Sequence, residues 1–553
     1  MSFLLPSLRG YSRAWLGVDL LAGLTLAAVC VPESMADAKL AAMPPVTGLY
    51  AFLAGALGAL LFSTSRQLSM GPDSTIGPMM AVGVGSLVVT TSSPEYSTRI
   101  VLLSLLLGVV LLAAGAARLG WLADLLSRPV MSGFLSGVGV TVVVGQLHVL
   151  LGLSASSGGT VQKLAAVVQH LGGVNAATLA VGVAVLAIVL GGERLGPRFP
   201  GALVAVIGSL VAVAALGLGD RGVALVGRLP PGLPSLSLVQ PAPADVMALL
   251  PVAVPIFFVI LAQTAATSRG FAVSGGYDVV VDRDFLAVGT ASVLSGLTGA
   301  FAVNASPTRT GVVAASNGRS QIVNLVAGLL VAAVLLVATG VLADLPEATL
   351  GGILVAVGVK LVKWRDLVAV ARYSRPEAAI AVVTLLVVAL VGIQEGIYLA
   401  IALALLRRTY LSARPHDSVL GRLAGPEGVW VSRRRHPEAE ATPGVAVFRF
   451  DAPLFYANAQ HFAARARAVI AGAGQPVRAL VIEAVGIDDV DFTGMHVLTE
   501  LDDELRARGV TLAIAHPFGR LGTELNAGSL VQRFQGRVFN SVDDAVAALQ
   551  AVR

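Results

Sequence analysis

The sequence is poor in charge and has almost no cysteine. Only 13% of its 553 residues are charged, whereas a soluble globular protein carries about 25%. With 56% hydrophobic residues, this deficit excludes a soluble globular protein for most of the chain and indicates a membrane protein. The lone cysteine, Cys30, excludes a disulfide within the chain.

Motifs for bound cofactors and for covalent chemistry are also missing. We find no nucleotide-binding loop, no metal-ligand spacing and no nucleophile elbow, so we expect neither an enzyme nor a metal or cofactor. The net charge of +5 comes from lysines and arginines in loops between apolar runs. It therefore does not indicate nucleic-acid binding.

Apolar runs of spanning length recur from Leu16 to Leu411 and predict fourteen transmembrane segments. The first run begins near Trp15 without a small-residue cleavage pattern, so we interpret it as a membrane helix and not as a signal peptide. The predicted segments are 16–40, 44–62, 71–90, 100–117, 120–151, 173–191, 200–217, 245–272, 284–301, 307–317, 322–342, 349–362, 377–393 and 395–411.

The distribution of basic residues predicts the orientation of the chain. An even number of segments places both termini on one side, and the loops on that side carry most of the lysines and arginines. By the positive-inside rule this side is the cytoplasm. We therefore expect a multi-pass protein of the cell (inner) membrane with both termini cytoplasmic.

A proline-rich segment, 228–243, divides the membrane domain 1–414 into two halves of seven segments. Since seven is odd, the second half must enter the membrane inverted, which predicts repeats at about 10–220 and 240–412. Polar interruptions fall at matching places in the two halves. Inverted repeats with broken helices are typical of secondary transporters.

Two pairs of segments carry these matching interruptions. Pro32-Glu33-Ser34 in the first segment corresponds to Ala262-Gln263-Thr264 in the eighth. The run from Met70 to Ser74 in the third corresponds to the run from Ala305 to Arg309 in the tenth. We therefore expect the four segments to converge on one central site.

A proline follows Gly71 and another follows Ser306, and proline suits the first turn of a helix. Helices that begin at mid-membrane direct free N–H groups and a positive dipole end at the centre, which favours an anion. Arg309 adds a permanent charge and a bidentate fork suited to carboxylate or sulfate. The alternative is a pair of ordinary proline kinks, with Arg309 paired to an acid such as Asp73.

Glu33 lies mid-span beside Pro32 and is the candidate proton-coupling residue. If its side chain faces the bound anion, protonation of Glu33 would favour anion binding and deprotonation would favour release. A structural glutamate bonded to loosened backbone, or an ion pair with Arg309, remains the alternative. Gln263 and Thr264 at the mirror positions can donate hydrogen bonds to a substrate, or can join helices.

The candidate substrate-binding residues are thus drawn from the first, third, eighth and tenth segments. Asp73 fits an anion site less well than the others. An acid at a helix start normally caps the helix or balances the charge of Arg309, and it would compete with a bound anion. The set is Glu33, Ser34, Gly71, Asp73, Ser74, Gln263, Thr264, Ser306, Thr308 and Arg309.

Beyond Arg414 a proline-rich linker, 415–443, leads to a soluble α/β domain at 444–553. Strand-like runs alternate there with helical stretches. Thr493, at a strand-to-helix turn, is a candidate regulatory residue for phosphorylation or for docking of a cytoplasmic partner. The alternative is that it lies near a helix cap.

These residues resemble a known family, the SulP-type or sulfate-permease anion transporters. VPESMADAKLAAMPPVTGLY (31–50) is similar to the family's first-helix signature, STSRQLSMGP (63–72) to its third-helix entry and SPTRTG (306–311) to its tenth helix. The segment 444–553 resembles the STAS domain that closes these proteins, including its Asp-x-Ser/Thr-Gly loop.

The resemblance implies a 7+7 inverted repeat with a core domain and a gate domain, a homodimer in membrane lipid, and alternating access. It places Thr308 and Arg309 on the anion-contacting pair. Many members have glutamate where this chain has Gln263, so the titratable group here is expected to be Glu33 alone.

Together these features predict a secondary active anion transporter, a proton-coupled symporter of a small carboxylate or dicarboxylate such as fumarate or succinate. Bicarbonate or sulfate transport and anion exchange remain alternatives. A nucleobase permease is a weaker one, since Gln263, Arg309 and the STAS-like domain argue against it. A membrane anchor that presents a regulatory STAS module is another.

Overall fold

A computed structural model describes residues 4–91, 93–125, 127–154, 159–192, 194, 200–236, 239–240, 242–424 and 428–551. Parts of the two proline-rich segments named above, 237–238, 241 and 425–427, lie outside the described residues. The chain divides into two compact units, residues 1–404 and 405–553.

Apolar helices build the first unit. Within the described residues, fourteen of them correspond in order to the predicted spans: α1 (Leu16–Leu40), α2 (Pro45–Phe62), α3 (Ile76–Gly85), α4 (Pro94–Ala116), α5 (Arg128–Leu151), α7 (Ala176–Gly192), α8 (Gly201–Leu216), α9 (Pro243–Gly275), α10 (Val281–Leu297), α11 (Pro307–Ala315), α12 (Ile322–Val337), α14 (Glu347–Leu361), α16 (Arg375–Leu390) and α17 (Ile393–Ala413). Three short helices lie between them: α6 (Thr160–Gln169), α13 (Thr339–Ala343) and α15 (Trp364–Tyr373).

Helix length separates the continuous spans from the interrupted ones. Five helices of the described chain are each long and apolar enough to cross a membrane, namely α1 with its preceding turn, α2, α4, α5 and α9. By contrast α3 has 10 residues and α11 has 9, which is about 15 Å of helix or half of a bilayer core. Each follows a two-residue strand, β1 (Met70–Gly71) or β2 (Asn304–Ala305).

The helices of the first unit pack as two groups. In one group α1, α2 and α12 pack on one another, and α10 packs on α2, α4 and α9. Both α3 and α11 contact α1 and α9 in this group. In the other, α5 packs against α7, α14 and α16, and α8 packs against α7. Helix α1 bridges the groups through α8 and α14. This is the core-and-gate organisation of a 7+7 inverted repeat.

The second unit is an α/β domain. Its six-stranded sheet has the order β4-β3-β5-β6-β7-β8, with the last four strands parallel. Its elements are β3 (Asp417–Arg422), β4 (Trp430–Ser432), β5 (Val445–Phe450), α18 (Ala459–Ala471), β6 (Ala479–Glu483), α19 (Phe492–Ala507), β7 (Thr511–Ala515), α20 (Gly519–Asn526), α21 (Val531–Phe534), β8 (Val538–Phe539) and α22 (Val542–Ala551).

Alternation along β5 supplies both faces of this sheet, as period two requires. Phe448 and Phe450 pack with Phe462 of α18 in the larger core. Val445 and Val447 face the opposite way and pack in a smaller core with Val546 of α22. The domain therefore has hydrophobic cores on both sides of its sheet.

The segment 415–443 differs from the predicted linker. It contributes strands β3 and β4, and β3 pairs antiparallel with β5 over Asp417–Leu420. These strands are short and flanked by Pro and Gly, so local pattern did not reveal them. Pairing with the edge of the parallel sheet, a long-range contact, makes them strands.

An ionic cluster in the second unit yields a stability prediction. Asp502 is fully buried and accepts hydrogen bonds from Arg537 at 2.5 and 3.2 Å, Arg506 at 2.9 Å and Arg533 at 3.3 Å. Removing one partner of a buried ionic network leaves uncompensated charge, so Asp502→Ala should lower the unfolding free energy of a 415–553 fragment by about 3 kcal/mol. Urea unfolding followed by circular dichroism measures this.

Asp503 provides the matched control, because it is the next residue and its carboxylate pairs with Arg533 at 2.7 and 3.1 Å in an exposed position. Exposed ion pairs contribute little. Equal losses of stability in Asp502→Ala and Asp503→Ala would contradict the structural role given to Asp502.

Candidate functional site

The two interrupted spans meet at their breaks. Strands β1 and β2 pair antiparallel, with Met70 opposite Ala305 and Gly71 opposite Asn304, and all four residues are buried. The Ser306 amide extends the pairing by donating to the Ser69 carbonyl at 2.9 Å. Backbone that is not helical must satisfy its polar groups internally at membrane depth. The pairing of the two breaks does this and brings the starts of α3 and α11 together.

Glycine permits this close approach. A Cβ on Gly55 of α2 would lie 2.3 Å from the Met70 carbonyl oxygen, closer than any tolerated contact. A Cβ on Gly71 would lie 3.1 Å from Phe52 and 3.4 Å from the Arg309 guanidinium. The strand crossing therefore lies directly against α2, and Gly71 leaves room for an arginine behind it.

Side-chain oxygens accept hydrogen bonds from free backbone amides at both helix starts. Ser306 caps α11, since its hydroxyl accepts from the Arg309 amide at 3.3 Å. Asp73 precedes α3, and its carboxylate accepts from the Thr75 amide at 3.0 Å. A negative side chain is stabilised at a helix N-terminus, so Asp73 already uses part of the dipole that an anion would use.

Helix α9 ties the two breaks together. The Gln263 amide donates to the Asp73 carboxylate at 3.0 Å and to the Ala305 carbonyl at 3.1 Å. Asn304 donates to Asp73 at 3.4 Å and accepts from Thr264 at 3.4 Å. Sequence reasoning missed Asn304, although it is polar and lies just ahead of the SPTRTG run. Gln263 and Thr264 therefore position the strand crossing.

A cavity of about 780 Å³ lies between α3, α9 and α11 on one side and α5 and α14 on the other. It therefore separates the two helix groups. Five of the ten candidate residues line it: Asp73, Ser74, Gln263, Ser306 and Thr308. Four basic residues also line it: Arg128, Arg269, Lys360 and Lys363.

Thr308 and Glu33 connect the cavity to α1. The Thr308 side chain is exposed, its hydroxyl lies 2.9 Å from that of Ser306 and it donates to Glu33 Oε1 at 3.2 Å. Glu33 is partly buried, and its Oε2 has no hydrogen-bond partner among the described residues. Ser34 is fully buried and does not line the cavity.

Arg309 lies behind the cavity wall. Its side chain is 0% exposed, and its Nη2 donates to the Pro72 carbonyl oxygen. Its Nη1 lies 3.7 Å from the Asp37 carboxylate. The expectation of a guanidinium fork open to an anion is therefore wrong for this conformation, because backbone and a buried acid already face it. The acid is not Asp73, the partner considered from the sequence.

Asp37 is a site residue that sequence reasoning missed. It lies one turn after Glu33 on α1, and its side chain is fully buried. An ionisable side chain within a membrane segment is by default a functional candidate. The i, i+4 spacing from Glu33 within a predicted membrane segment was the available signal, since such residues share a face.

Comparison with known proteins decides the family. The sulfate permease family model matches residues 16–384, and the STAS domain model matches residues 436–545. A probable sulfate transporter of Mycobacterium tuberculosis is 35% identical over 543 residues, which cover 98% of this chain and 97% of the relative. The chain belongs to the sulfate permease family. Prestin of Danio rerio is 30% identical over 484 residues, 81% of this chain and 64% of prestin.

Solved structures agree with the fold. The murine Solute Carrier 26 family member A9 anion transporter, in the inward-facing state, matches with a TM-score of 0.90 at 22% identity, over 99% of this chain and 94% of that one. The transmembrane domain of the cyanobacterial bicarbonate transporter BicA matches with 0.61 at 23% identity, over 71% and 98%. At the level of the sulfate permease family the chain is an anion transporter, not an enzyme.

An ion pair joins the two helix groups at the end opposite the basic residues of the cavity. Lys39, near the end of α1, lies 2.6 Å from Glu347, the first residue of α14. The end of α1 is held to α4, because Tyr96 donates to the Ala41 carbonyl at 2.6 Å. Lys360, at the far end of α14, lines the cavity about 20 Å away along the helix.

We predict that this ion pair keeps the helix groups closed at its own end. Lys39→Glu places two carboxylates together, and their repulsion should open the helix groups at that end more often. In alternating access the cavity end should then be closed more often. A cysteine at the cavity residue Val357, introduced with Cys30→Ser, should then react about threefold to tenfold more slowly with a maleimide, given the size of partly exposed ion pairs.

The charge swap Lys39→Glu with Glu347→Lys serves as the control, since it restores the pair with reversed polarity. Its labelling rate should return to that of the parent. An unchanged rate in Lys39→Glu, or a swap that fails to recover, would contradict this role.

Thr493 belongs to the second unit. It is the second residue of α19 and is exposed, while Asp491 caps the helix by accepting from the Gly494 amide at 2.7 Å. Its regulatory role stays a prediction.

Proposed function

We propose that this protein is a secondary active transporter that carries a small carboxylate or dicarboxylate, such as fumarate or succinate, together with protons by alternating access. The substrate enters the cavity between the two helix groups. The hydroxyls of Thr308 and Ser306 and the amide of Gln263 are its candidate hydrogen-bond donors.

The observation that carries the proposal is the balance of buried charge. Three acidic side chains, Glu33, Asp37 and Asp73, lie near the starts of α3 and α11, where Arg309 is the one fully buried cation among the described residues. Only Asp37 approaches the guanidinium, at 3.7 Å. An arriving anion adds to an excess of negative charge in a poorly solvated place, which is costly unless a positive charge comes with it. A proton is the simplest such charge, which favours symport over simple anion exchange.

The candidate residues divide by position. Gly71 belongs to the strand before α3, Ser74 lies just ahead of that helix on the cavity, and Thr264 donates to Asn304 behind the cavity. Ser34 is buried on α1 beside Glu33. Glu33 is the proposed proton-coupling residue, because it is partly exposed and bonds directly to Thr308 on the cavity surface.

Sulfate is the second candidate substrate, favoured by the 35% identical relative that is named a probable sulfate transporter. Bicarbonate is a third, since a bicarbonate transporter shares the fold. For both, exchange against a second anion is the alternative to symport. A membrane anchor for a regulatory STAS module predicts that deletion of 415–553 abolishes all cellular effect while transport survives.

Uptake into proteoliposomes tests the proposal. Radiolabelled fumarate, succinate, sulfate and bicarbonate are supplied with and without an imposed inward proton gradient. Fumarate or succinate uptake should rise with the gradient, and Thr308→Ala should reduce it about tenfold, the loss expected for one hydrogen bond to a charged group. Arg309→Ala should abolish it.

Thr141→Ala is the matched control, because the Thr141 hydroxyl donates only to Gly137 within α5, at 3.1 Å. Its uptake should equal that of the parent. Uptake that ignores the proton gradient would remove the symport claim, and wild-type uptake in Arg309→Ala would remove the site.

We also propose that both termini are cytoplasmic, that the membrane is the inner membrane of the cell and that the transporter is a homodimer in lipid. The basic residues around the cavity lie at or near helix ends on the side that the positive-inside rule assigns to the cytoplasm, so we propose that the cavity opens inwards. Labelling of the Val357 cysteine from one face of sealed vesicles tests this orientation.

Thr493 remains the proposed phosphorylation site, or the proposed contact residue for a cytoplasmic partner.

A further inference from the structure

We propose that Asp37 is an internal counter-ion that holds the Arg309 guanidinium away from the cavity, and that anion binding is linked to a proton taken up by this carboxyl. The inference rests on the proposed function and extends it from Glu33 to a second, deeper acid. Asp37 acts through Arg309, so it is a positioning residue.

The first observation is the incomplete pairing of two fully buried side chains. Asp37 Oδ2 and Arg309 Nη1 lie 3.7 Å apart, beyond hydrogen-bond distance. Asp37 Oδ1, Arg309 Nε and Arg309 Nη1 have no hydrogen-bond partner among the described residues. Buried polar atoms normally have hydrogen-bond partners. Three such atoms without a partner therefore indicate that this pair forms further hydrogen bonds in another protonation state or another arrangement of the side chains.

The second observation is what surrounds Asp37. On α1 itself the titratable neighbours are Cys30, Glu33 and Lys39, and Lys39 is paired with Glu347 of α14. Among the helices that pack on α1, α11 brings only Arg309 and α2 only Tyr50, whereas α3, α8 and α12 bring no titratable side chain. Asp73 lies just ahead of α3.

Arg309 is therefore the one cation placed against Asp37 within the described residues. Helix α14 adds Lys360, which lies at the cavity end of that helix. Glu33 lies one turn away on the same face of α1 and contacts the cavity through Thr308. Because Glu33 is partly exposed, a proton from solution can reach it first and pass from there to the buried Asp37.

A linked step follows from this geometry. A proton from solution forms an O–H bond on Asp37, which removes the negative partner of Arg309. The guanidinium charge then acts on the cavity, which is lined by the neighbouring residue Thr308, and attracts an anion there. When the anion leaves, the Asp37 O–H bond breaks, the proton passes to solution by way of Glu33, and the Asp37–Arg309 pair re-forms, so one proton accompanies each anion.

Binding measurements on the purified full-length protein test this role. Calorimetry with sodium fumarate and sodium sulfate at pH 5.5 and 7.5 should show tighter binding to the parent at pH 5.5, by up to tenfold per pH unit for one linked proton. In Asp37→Asn the carboxylate is absent, so affinity at pH 7.5 should rise about tenfold and its pH dependence should disappear.

Two further variants make the result specific. Asp37→Glu keeps the carboxyl and should retain the pH dependence. Asp19→Asn is the matched control, a buried aspartate on the same helix whose oxygens accept from the Arg319 amide and the Ser320 hydroxyl, both at 2.7 Å. It should also retain the pH dependence. If Asp37→Asn does not fold, Asp37→Ser is used instead.

The outcomes separate this inference from the proposed function. Parent-like pH dependence in Asp37→Asn, with that dependence lost in Glu33→Gln, overturns the role of Asp37 and leaves symport intact. Anion binding that is linked to pH through Asp37, without stimulation of uptake by a proton gradient, upholds Asp37 and overturns symport. Parent binding that is weak or the same at both pH values overturns the inference.

Discussion

The pairing of two short backbone segments at the centre of the membrane unit is the interaction on which the site depends. Strands β1 and β2 satisfy each other's polar groups where water is absent. This allows α3 and α11 to begin at mid-membrane and fixes their starts against one another. The position of the cavity, the Ser306 cap and the placement of Gln263 on both breaks follow from that crossing.

Charge in this region is arranged less simply than two helix dipoles and an arginine would suggest. Asp73 occupies part of the dipole at the start of α3, and Asp37 faces the guanidinium of Arg309. The cavity surface itself carries hydroxyls and an amide, with basic residues contributed by α5, α9, α14 and the residues just after α14. The cavity surface therefore presents neutral donors and basic side chains, while Arg309 is buried behind it.

Sequence reasoning reached the segments but not their side-chain partners. The prolines after Gly71 and Ser306 located the two breaks, because proline disfavours a continuous helix through the preceding residues. Pro307 is the first residue of α11 as predicted, whereas α3 begins four residues after Pro72, at Ile76. Five of the candidate residues line the cavity. The burial of Arg309, the part played by Asp37 and Asn304, and the strands within 415–443 were missed, since each depends on contacts between residues far apart in the chain.

The sequence by itself determined the apolar spans, the odd number in each half and the matching interruptions, because hydropathy and proline act locally. It also determined the family, through motifs that cover nearly the whole chain. Only the tertiary structure decided which acid faces Arg309 and which side chains reach the cavity. Both depend on how α1, α9 and α11 pack, because a buried charge pairs with the opposite charge that the packing places next to it.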